Sequence, residues 1–525
     1  MSRHSSSLGP PLSLQPGRNC WRVAEAERLT FLIDGASYFE AFYRAALNAE
    51  RSITILSWDI NPRTRLLRNV PNVDGFPPEL GPFLRRLLHR KQSLHVYILN
   101  WDYSFIYATE RQWFPAVRFG WNSHPRLHFH LNNRHPIGAC HHEKLVVIDD
   151  TVAFIGGLDL TTRRWDTSEH QHHDPRRVDP DGSRYAPFHD VHTIVAGEVA
   201  VVLGDLARLG WHRATGEHLM PTHRRPVSDL WPAGIPADLT RCSVAVARTQ
   251  PQFEDQPEAR EIEQLYRDAI ATARRYIFIE SQYLTAHRIG EALHRRLTDP
   301  QGPEIVLVTR MKSDGWLEHH TMDVLRARLI RRLRDATGRD RLRVYWPATP
   351  NAPSDTSIGV HSKLLIVDDA VATIGSANCS NRSMGLDTEC NLIIDGTGNE
   401  QVQAGLRSLR YRLLGEHMGR DPSEVEHAER RGFSFIETID HLNNGSRGLW
   451  DCSCEVAPEV DHLVLDTALA DPERPAGPDQ LWKMLPGSSL SQYQSYSHPA
   501  LLLSSIAIGV GLLGLAWHYS RRNSS

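Results

Sequence analysis

The chain has 525 residues, and its 59 Lys and Arg against 62 Asp and Glu give a net charge of −3 at pH 7. That balance excludes electrostatic steering of the whole protein to nucleic acid. Seven cysteines in a chain this long exclude a disulfide framework and fit a reducing compartment.

Residues 1–24 read as a disordered lead. Met1 to Pro16 is rich in Ser, Pro and Leu without periodicity and lacks the charged start and apolar core of a secretory signal. A first half over residues 25–215 opens with helical apolar spacing from Tyr38 to Ala49 and the strand Ile53 to Trp58. After a helix come strands from Leu94 to Leu99 and Arg126 to Leu131, then a strand ending at Asp149. Residues 169–174, Glu-His-Gln-His-His-Asp, could take up a metal adventitiously but read as a solvated loop. A Pro-rich connector, 216–240, leads into a second half, 241–450, in which the order repeats. A helix from Ile262 to Ala273 and a strand from Tyr276 to Tyr283 are followed by a helix, strands Ile305 to Thr309 and Leu342 to Trp346, and a strand ending at Asp368.

This repeated order predicts an α/β fold of two similar sandwich halves, packed as a pseudo-twofold pair with one cleft at the seam. A monomer would then hold the whole site. Residues 451–499 read as a Pro- and Ser-rich spacer, in which Cys452 and Cys454 are too short a pair for a metal site alone. Ala500 to Tyr519 contains no Asp, Glu, Lys or Arg, and at 1.5 Å per residue would span roughly 30 Å, a bilayer core. With Trp517 and Tyr519 near one end and Arg521 and Arg522 beyond, it predicts an apolar C-terminal helix, a single-pass membrane anchor. The missing export signal places the catalytic part on the cytoplasmic side.

The chemistry-bearing signal is duplicated. His142, Lys144 and Asp149 stand in an H-x-K-x4-D motif that returns as His361, Lys363 and Asp368. One copy is weak evidence; two copies with matched surroundings are strong. Gly156-Gly157 follows the first Asp as Gly375-Ser376 follows the second, with Asp159 and Asn378 at equivalent places. A phosphodiester needs a nucleophile, a proton for its leaving group and positive charge, and two facing imidazoles can divide the first two jobs. His and Lys two residues apart on an extended strand share one face. Lys144 and Lys363, with Gly157, Ser376 and Asn378, could therefore hold the non-bridging oxygens. Asp149 and Asp368, at strand ends, are read as structural. This scheme needs neither metal nor cofactor.

These residues resemble the phospholipase D superfamily. His141 to Leu160 with Arg164-Trp165-Asp166 is similar to the first half of phospholipases D acting on glycerophospholipids, and Val360 to Asn378 with Asn381-Arg382-Ser383-Met384 to the second. Ile277 to Leu284, I-F-I-E-S-Q-Y-L, is similar to a signature of those lipases that nucleases of the superfamily usually lack. The resemblance implies a phospholipase D fold, a phospholipid substrate at a membrane and no nucleic acid partner. It also implies His142 as nucleophile and His361 as general acid and base. Each ring would be held by a carboxylate of the other half: Glu389 for His142, Asp190 for His361. The first half departs from the commoner pattern at Gly157 and Asp159, which removes Asp159 as a phosphate ligand. Water and alcohol remain open as acceptors, so a cardiolipin-synthase-like transfer and a nuclease stand as alternatives.

Overall fold

The computed structural model describes residues 12–68, 75–102, 121, 124–222, 229–313, 316–337, 340–349, 357–445, 447–454 and 471–475. Strand β1 (Arg22–Ile33) leads into α1 (Asp34–Asn48), β2 (Ser52–Ser57), α2 (Leu80–Arg90), β3 (His95–Trp101) and β4 (Leu127–Asn132). The hairpin β5 (Leu145–Ile148) and β6 (Val152–Gly156), then β7 (Phe188–His189), β8 (Val191–Ala196) and α3 (Glu198–Thr215), complete this half. The second runs β9 (Leu239–Gln250), β10 (Ala259–Arg260), α4 (Glu261–Thr272), β11 (Tyr276–Glu280), α5 (His287–Thr298), β12 (Glu304–Val308), α6 (Trp316–Thr337) and β13 (Leu342–Ala348). It continues with β14 (Gly359–Val360), β15 (Leu364–Val367), β16 (Val371–Gly375), α7 (Asn381–Gly385), β17 (Glu389–Asp395) and α8 (Glu400–Met418). Helices α9 (Pro422–Arg430) and α10 (Phe435–Leu442) and strand β18 (Gly448–Asp451) follow.

Sixteen of these strands form one mixed sheet. At its centre β1 and β9 pair antiparallel, Arg22 opposite Val246 and Leu29 opposite Leu239. Outward from β1 the order is β8-β6-β5-β2-β3-β4; outward from β9 it is β17-β16-β15-β11-β12-β13, with β18 at the edge. The two sequences of neighbours are the same by position in the chain. The fold is thus a mixed, sheet-dominated α/β arrangement.

Every residue of β5 and β15 is buried, as unbroken runs of Leu, Val and Ile require when helices cover both faces of a sheet. Period-two alternation sends their side chains to different cores. Leu145 and Val147 join Leu364 and Ile366 in one apolar cluster with Leu203 of α3 and Leu409 of α8. Val146 and Ile148 face Phe39 and Phe42 of α1 and Leu84 of α2. Leu365 and Val367 face Ile262 and Leu265 of α4 and Leu293 of α5. One core spans both halves, and each half has a second core of its own.

The hairpin turns explain the motif aspartates. Asp149 and Asp368 take left-handed backbone angles, φ +52° and +54°, which Asp tolerates better than most residues. Asp149 accepts the N–H groups of Glu50, Arg51 and Ser52 at 2.7, 2.9 and 2.6 Å. Asp368 accepts those of Arg274, Arg275 and Tyr276 at 2.6, 2.8 and 2.8 Å. Each thereby fixes the entry of the strand beside its own hairpin. The following residues, Asp150 and Asp369, bind Arg208 of α3 and Arg410 of α8.

Three expectations need correction. The lead is ordered from Leu12 on: Leu12 and Cys20 enter the second half's core, and Arg18 and Asn19 bind Asp268 at 2.8 Å each. Within the expected spacer, Asp471 is buried and accepts Thr285 Oγ1 and the N–H groups of Asn381 and Arg382, while Cys452 and Cys454 form a disulfide. The single-pass anchor and the localisation drawn from it are overturned, because no helix among the described residues is long and apolar enough to cross a membrane. Even α6, with 22 residues, carries Arg326, Arg328, Arg331, Arg332 and Arg334. The expected span, residues 500–519, lies outside the described residues.

Replacing Asp368 by Ala leaves three backbone N–H groups without their acceptor and is expected to cost about 1–3 kcal/mol, read as a lower midpoint in urea unfolding. Asp368→Asn, which keeps an acceptor oxygen, should lose less. An unchanged midpoint in both variants would contradict the structural role.

Candidate active site

Backbone pairing between the halves positions both motif histidines. His141 forms a bridge with Thr388; the His142 N–H donates to Thr388 O and the Thr388 N–H to Cys140 O, both at 2.9 Å. At the equivalent place β14 pairs with β7, Val360 opposite His189, and the His361 N–H donates to His189 O at 2.9 Å. Each histidine is therefore stitched to the opposite half one residue before that half's carboxylate.

The side chains complete the exchange. His142 Nδ1 lies 3.0 Å from both oxygens of Glu389, and His361 Nδ1 lies 2.7 Å from Asp190 Oδ2. Both carboxylates are fully buried, whereas each imidazole side chain keeps 13% of its surface exposed. Occupation of Nδ1 by a carboxylate leaves Nε2 as the nitrogen free for chemistry. Lys144 Nζ donates to His142 O at 2.8 Å and pairs with Asp159 Oδ2 at 3.4 Å. Lys363 Nζ donates to His361 O and stands 3.0 Å from its Nδ1. Asn378, where the first half has Asp159, is 5% exposed, and its Oδ1 is buried without a hydrogen-bond partner.

The two carboxylates are seated differently. A Cβ at Gly157 would lie 2.2 Å from Asp190 Oδ1, so the absent side chain makes room for Asp190. At the matching position Ser376 Oγ donates to Glu389 Oε2 at 2.5 Å, and Ser383 Oγ donates to Oε1 at 2.7 Å. The Ser376 hydroxyl is committed to the carboxylate.

Burial governs the protonation of the site. It holds both His142 and His361 well below the usual imidazole range, with Lys144 and Lys363 adding to the effect on each ring; His361 also feels Arg164 and His142. The two rings and two lysines thus share one electrostatic environment. Burial lowers the Lys363 ammonium to about 7 against the pull of Asp190. It pushes the Glu389 carboxyl up to about 8 against Lys144 and the two serine hydroxyls, and Asp190 up to about 6 against Lys363 and the Val191 N–H.

Several residues of this region have roles that only the structure reveals. Ser383 belongs to α7, within the Asn-Arg-Ser-Met run. Trp58, just after β2, meets the His142 ring in a T-shaped contact with 6.1 Å between centroids, and its ring centroid lies 5.8 Å from Lys144 Nζ; a lone Trp carries no sequence signal for this. Arg164 lies 4.9 Å over the Phe188 ring and acts on His361, Asp190 and Lys363 by charge. Glu280, the acid of the I-F-I-E-S-Q-Y-L run, faces three donors behind the second motif strand: His189 Nε2, His417 Nε2 and Ser362 Oγ, at 3.0, 2.8 and 2.7 Å. His170 is fully buried, not solvated as its loop composition predicted. Only tertiary packing fixes these last two placements.

Residues 266–409 match a family profile described as cardiolipin synthase, PLD-like domain. The chain is 25% identical to phospholipase D1 of Saccharomyces cerevisiae over 76% of its length, the match covering 29% of that protein. It is 25% identical to phospholipase D zeta 2 of Arabidopsis thaliana over 81% of its length, covering 56% of the relative. The chain thus spans less than two thirds of the length of these relatives. A phosphatidylserine synthase structure from Haemophilus influenzae shares the fold with a TM-score of 0.52 at 13% identity, over 80% of this chain and 92% of that one. Residues 266–409 thus carry a PLD-like domain, and the two matched His-Lys motifs, joined across the seam by exchanged carboxylates, accompany a likeness to phospholipases D over most of the chain.

Proposed function

We propose that the protein is a phospholipase D-type phosphodiesterase, hydrolysing the distal phosphodiester of a glycerophospholipid to phosphatidic acid and a free head group. The observation that carries this reading is the exchange: each imidazole is held by a carboxylate of the other half and feels both lysines. The repeated strand order supports reading the halves as a pseudo-twofold pair, so one monomer suffices. The lipid substrate rests on the I-F-I-E-S-Q-Y-L run and on the names of the relatives.

In the first step His142 Nε2 attacks phosphorus, forming the N–P bond as the bond to the head-group oxygen breaks, and His361 gives that oxygen a proton. Glu389 accepts from Nδ1–H, selecting the tautomer whose Nε2 lone pair is free and stabilising the cation that forms. In the second step His361, now neutral, takes a proton from water; the hydroxide attacks phosphorus and the N–P bond breaks, returning His142. Lys144, Lys363 and the Asn378 amide would hold the non-bridging oxygens. A lipid alcohol in place of water gives transfer instead of hydrolysis, a second reading favoured by the cardiolipin synthase profile over residues 266–409.

The two histidines separate experimentally on a phosphatidyl ester of p-nitrophenol, whose leaving group needs no proton. His361→Ala should release about one equivalent of nitrophenolate in a burst and accumulate an acid-labile phosphoryl adduct on His142, with turnover slowed by about 10²-fold or more. His142→Ala should show neither burst nor adduct. Equal turnover in His361→Ala and wild type would overturn the assignment. With phosphatidylcholine and ethanol, phosphatidylethanol should form; cleavage of DNA with every phospholipid left intact would point to a nuclease.

Glu389 sets a pH dependence. Its carboxyl must be ionised to accept Nδ1–H, and its folded value is raised to about 8, whereas Lys363, lowered to about 7, must keep its proton, so kcat/KM should trace a bell with one limb set by Glu389 and the other by Lys363. Removing one hydroxyl donor in Ser383→Ala destabilises the anion and should move the limb set by Glu389 to higher pH by up to about one unit. Glu389→Gln should abolish that limb and lower the rate by about 10²-fold or more. A limb unmoved in Ser383→Ala would assign it to another group.

A further inference from the structure

Behind His361, away from the reacting face, four buried side chains converge from distant parts of the chain. Asp34 opens α1, His170 lies in the loop after β6, His189 is in β7 and Glu416 is near the end of α8. One ligating atom from each lies within 4.8 Å of all the others. We propose that Asp34, His170, His189 and Glu416 bind a divalent metal ion of the zinc class, which clips the two halves together behind the second motif histidine. The proposal stands apart from the phosphodiesterase reading.

Separations support it. Metal to donor distances of about 2.0–2.2 Å in tetrahedral geometry place neighbouring donors about 3.3 Å apart. Glu416 Oε1 is 2.7 Å from His189 Nδ1 and 3.0 Å from His170 Nε2. Asp34 stands 3.1 Å from His189 Nδ1 through Oδ1 and 3.7 Å from His170 Nε2 through Oδ2. These four separations, the two to Asp34 running through different oxygens of its carboxylate, bracket the tetrahedral edge.

The far nitrogen of each imidazole supplies a second, independent sign. Metal-bound histidines almost always engage a carboxylate, carbonyl or water through the other ring nitrogen, which fixes the tautomer. His170 Nδ1 is 2.9 Å from Asp166 Oδ2, itself held by Arg177 Nη1 at 3.0 Å and the Phe188 N–H at 2.9 Å. His189 Nε2 is 3.0 Å from Glu280 Oε2, which also accepts Ser362 Oγ. Ser168 Oγ donates to Asp34 Oδ2 at 2.9 Å. Two neutral imidazoles and two carboxylates compensate one divalent charge, as a buried ion requires.

Imidazole and carboxylate donors suit zinc, and four protein ligands leave no open position, the mark of a structural ion. A cavity of about 390 Å³, bordered by Ser168, Gly415, Glu416, Arg420 and Arg447, gives a route to Glu416 from solvent. Three ligands belong to the first half and Glu416 to the second. His189 also carries the carbonyl that receives the His361 N–H, and its neighbour Asp190 holds the His361 ring. An ion here would lock the floor beneath that histidine.

The test uses the full chain. After exhaustive dialysis against metal-free buffer, elemental analysis should find about one zinc per protein, falling below about 0.2 in His170→Ala and Glu416→Gln. Cobalt(II) reconstitution of the wild-type protein should give the visible absorption of a tetrahedral N/O site, and a chelator should lower the wild-type melting midpoint but not that of His170→Ala. If the variants fail to fold, the wild-type zinc content and cobalt spectrum decide. Folded wild-type protein that retains no zinc and gives no tetrahedral cobalt spectrum, or variants that keep a full equivalent, would overturn the proposal and leave a cluster held by hydrogen bonds alone.

Discussion

The site depends on two carboxylates that cross a seam. Glu389 reaches His142 and Asp190 reaches His361, so neither half contains a finished imidazole. A buried carboxylate beside a buried ring is tolerable only when the geometry is held and remaining lone pairs are satisfied. The central β1 to β9 pairing supplies a continuous backbone across the seam, and the strand segments entering each motif add hydrogen bonds between halves next to the carboxylates. The apolar cluster that takes Leu145 and Leu364 alike removes the option of the halves separating without exposing a shared core.

Duplication supplies the pair but not identity. Where the first half has Gly157, Asp159 and Arg164, the second has Ser376, Asn378 and Ser383. Glu389 receives two hydroxyls; Asp190 receives the Val191 N–H at 2.7 Å and lies against a glycine. Lys144 has a carboxylate partner in Asp159, while the second half offers the amide of Asn378. These substitutions are where the twofold relation breaks, and they sit within the site.

Much of this was legible in the sequence because its signals were local and repeated. The H-x-K-x4-D spacing places His and Lys on one strand face, and the apolar runs of β5 and β15 announce strands covered on both sides. The structural reading of Asp149 and Asp368 follows from their place at strand ends, where a carboxylate can gather backbone N–H groups. What the residues alone could not supply was partnership over long separations. Ser376 at a phosphate-facing position reads as an oxyanion donor until Glu389 is seen beside it. His170 reads as solvated because its neighbours are polar, yet Asp166 and Glu416 draw it inward. The low-complexity look of Met1 to Pro16 concealed Leu12, whose single apolar side chain finds the second half's core.

The same burial that holds the site together sets its charge before substrate arrives. Desolvation works against every ionised group of the site, so the rings lie low, Lys363 is lowered to about 7 and Glu389 raised to about 8. Under the proposed function a phosphodiester would bring a permanent negative charge into that space. Its field would favour the protonated forms of Lys363 and His361, the forms that the proposed mechanism uses to hold the oxygens and to protonate the leaving group. It would disfavour ionisation of Glu389, whose hydroxyl donors and proximity to Lys144 work in the opposite sense.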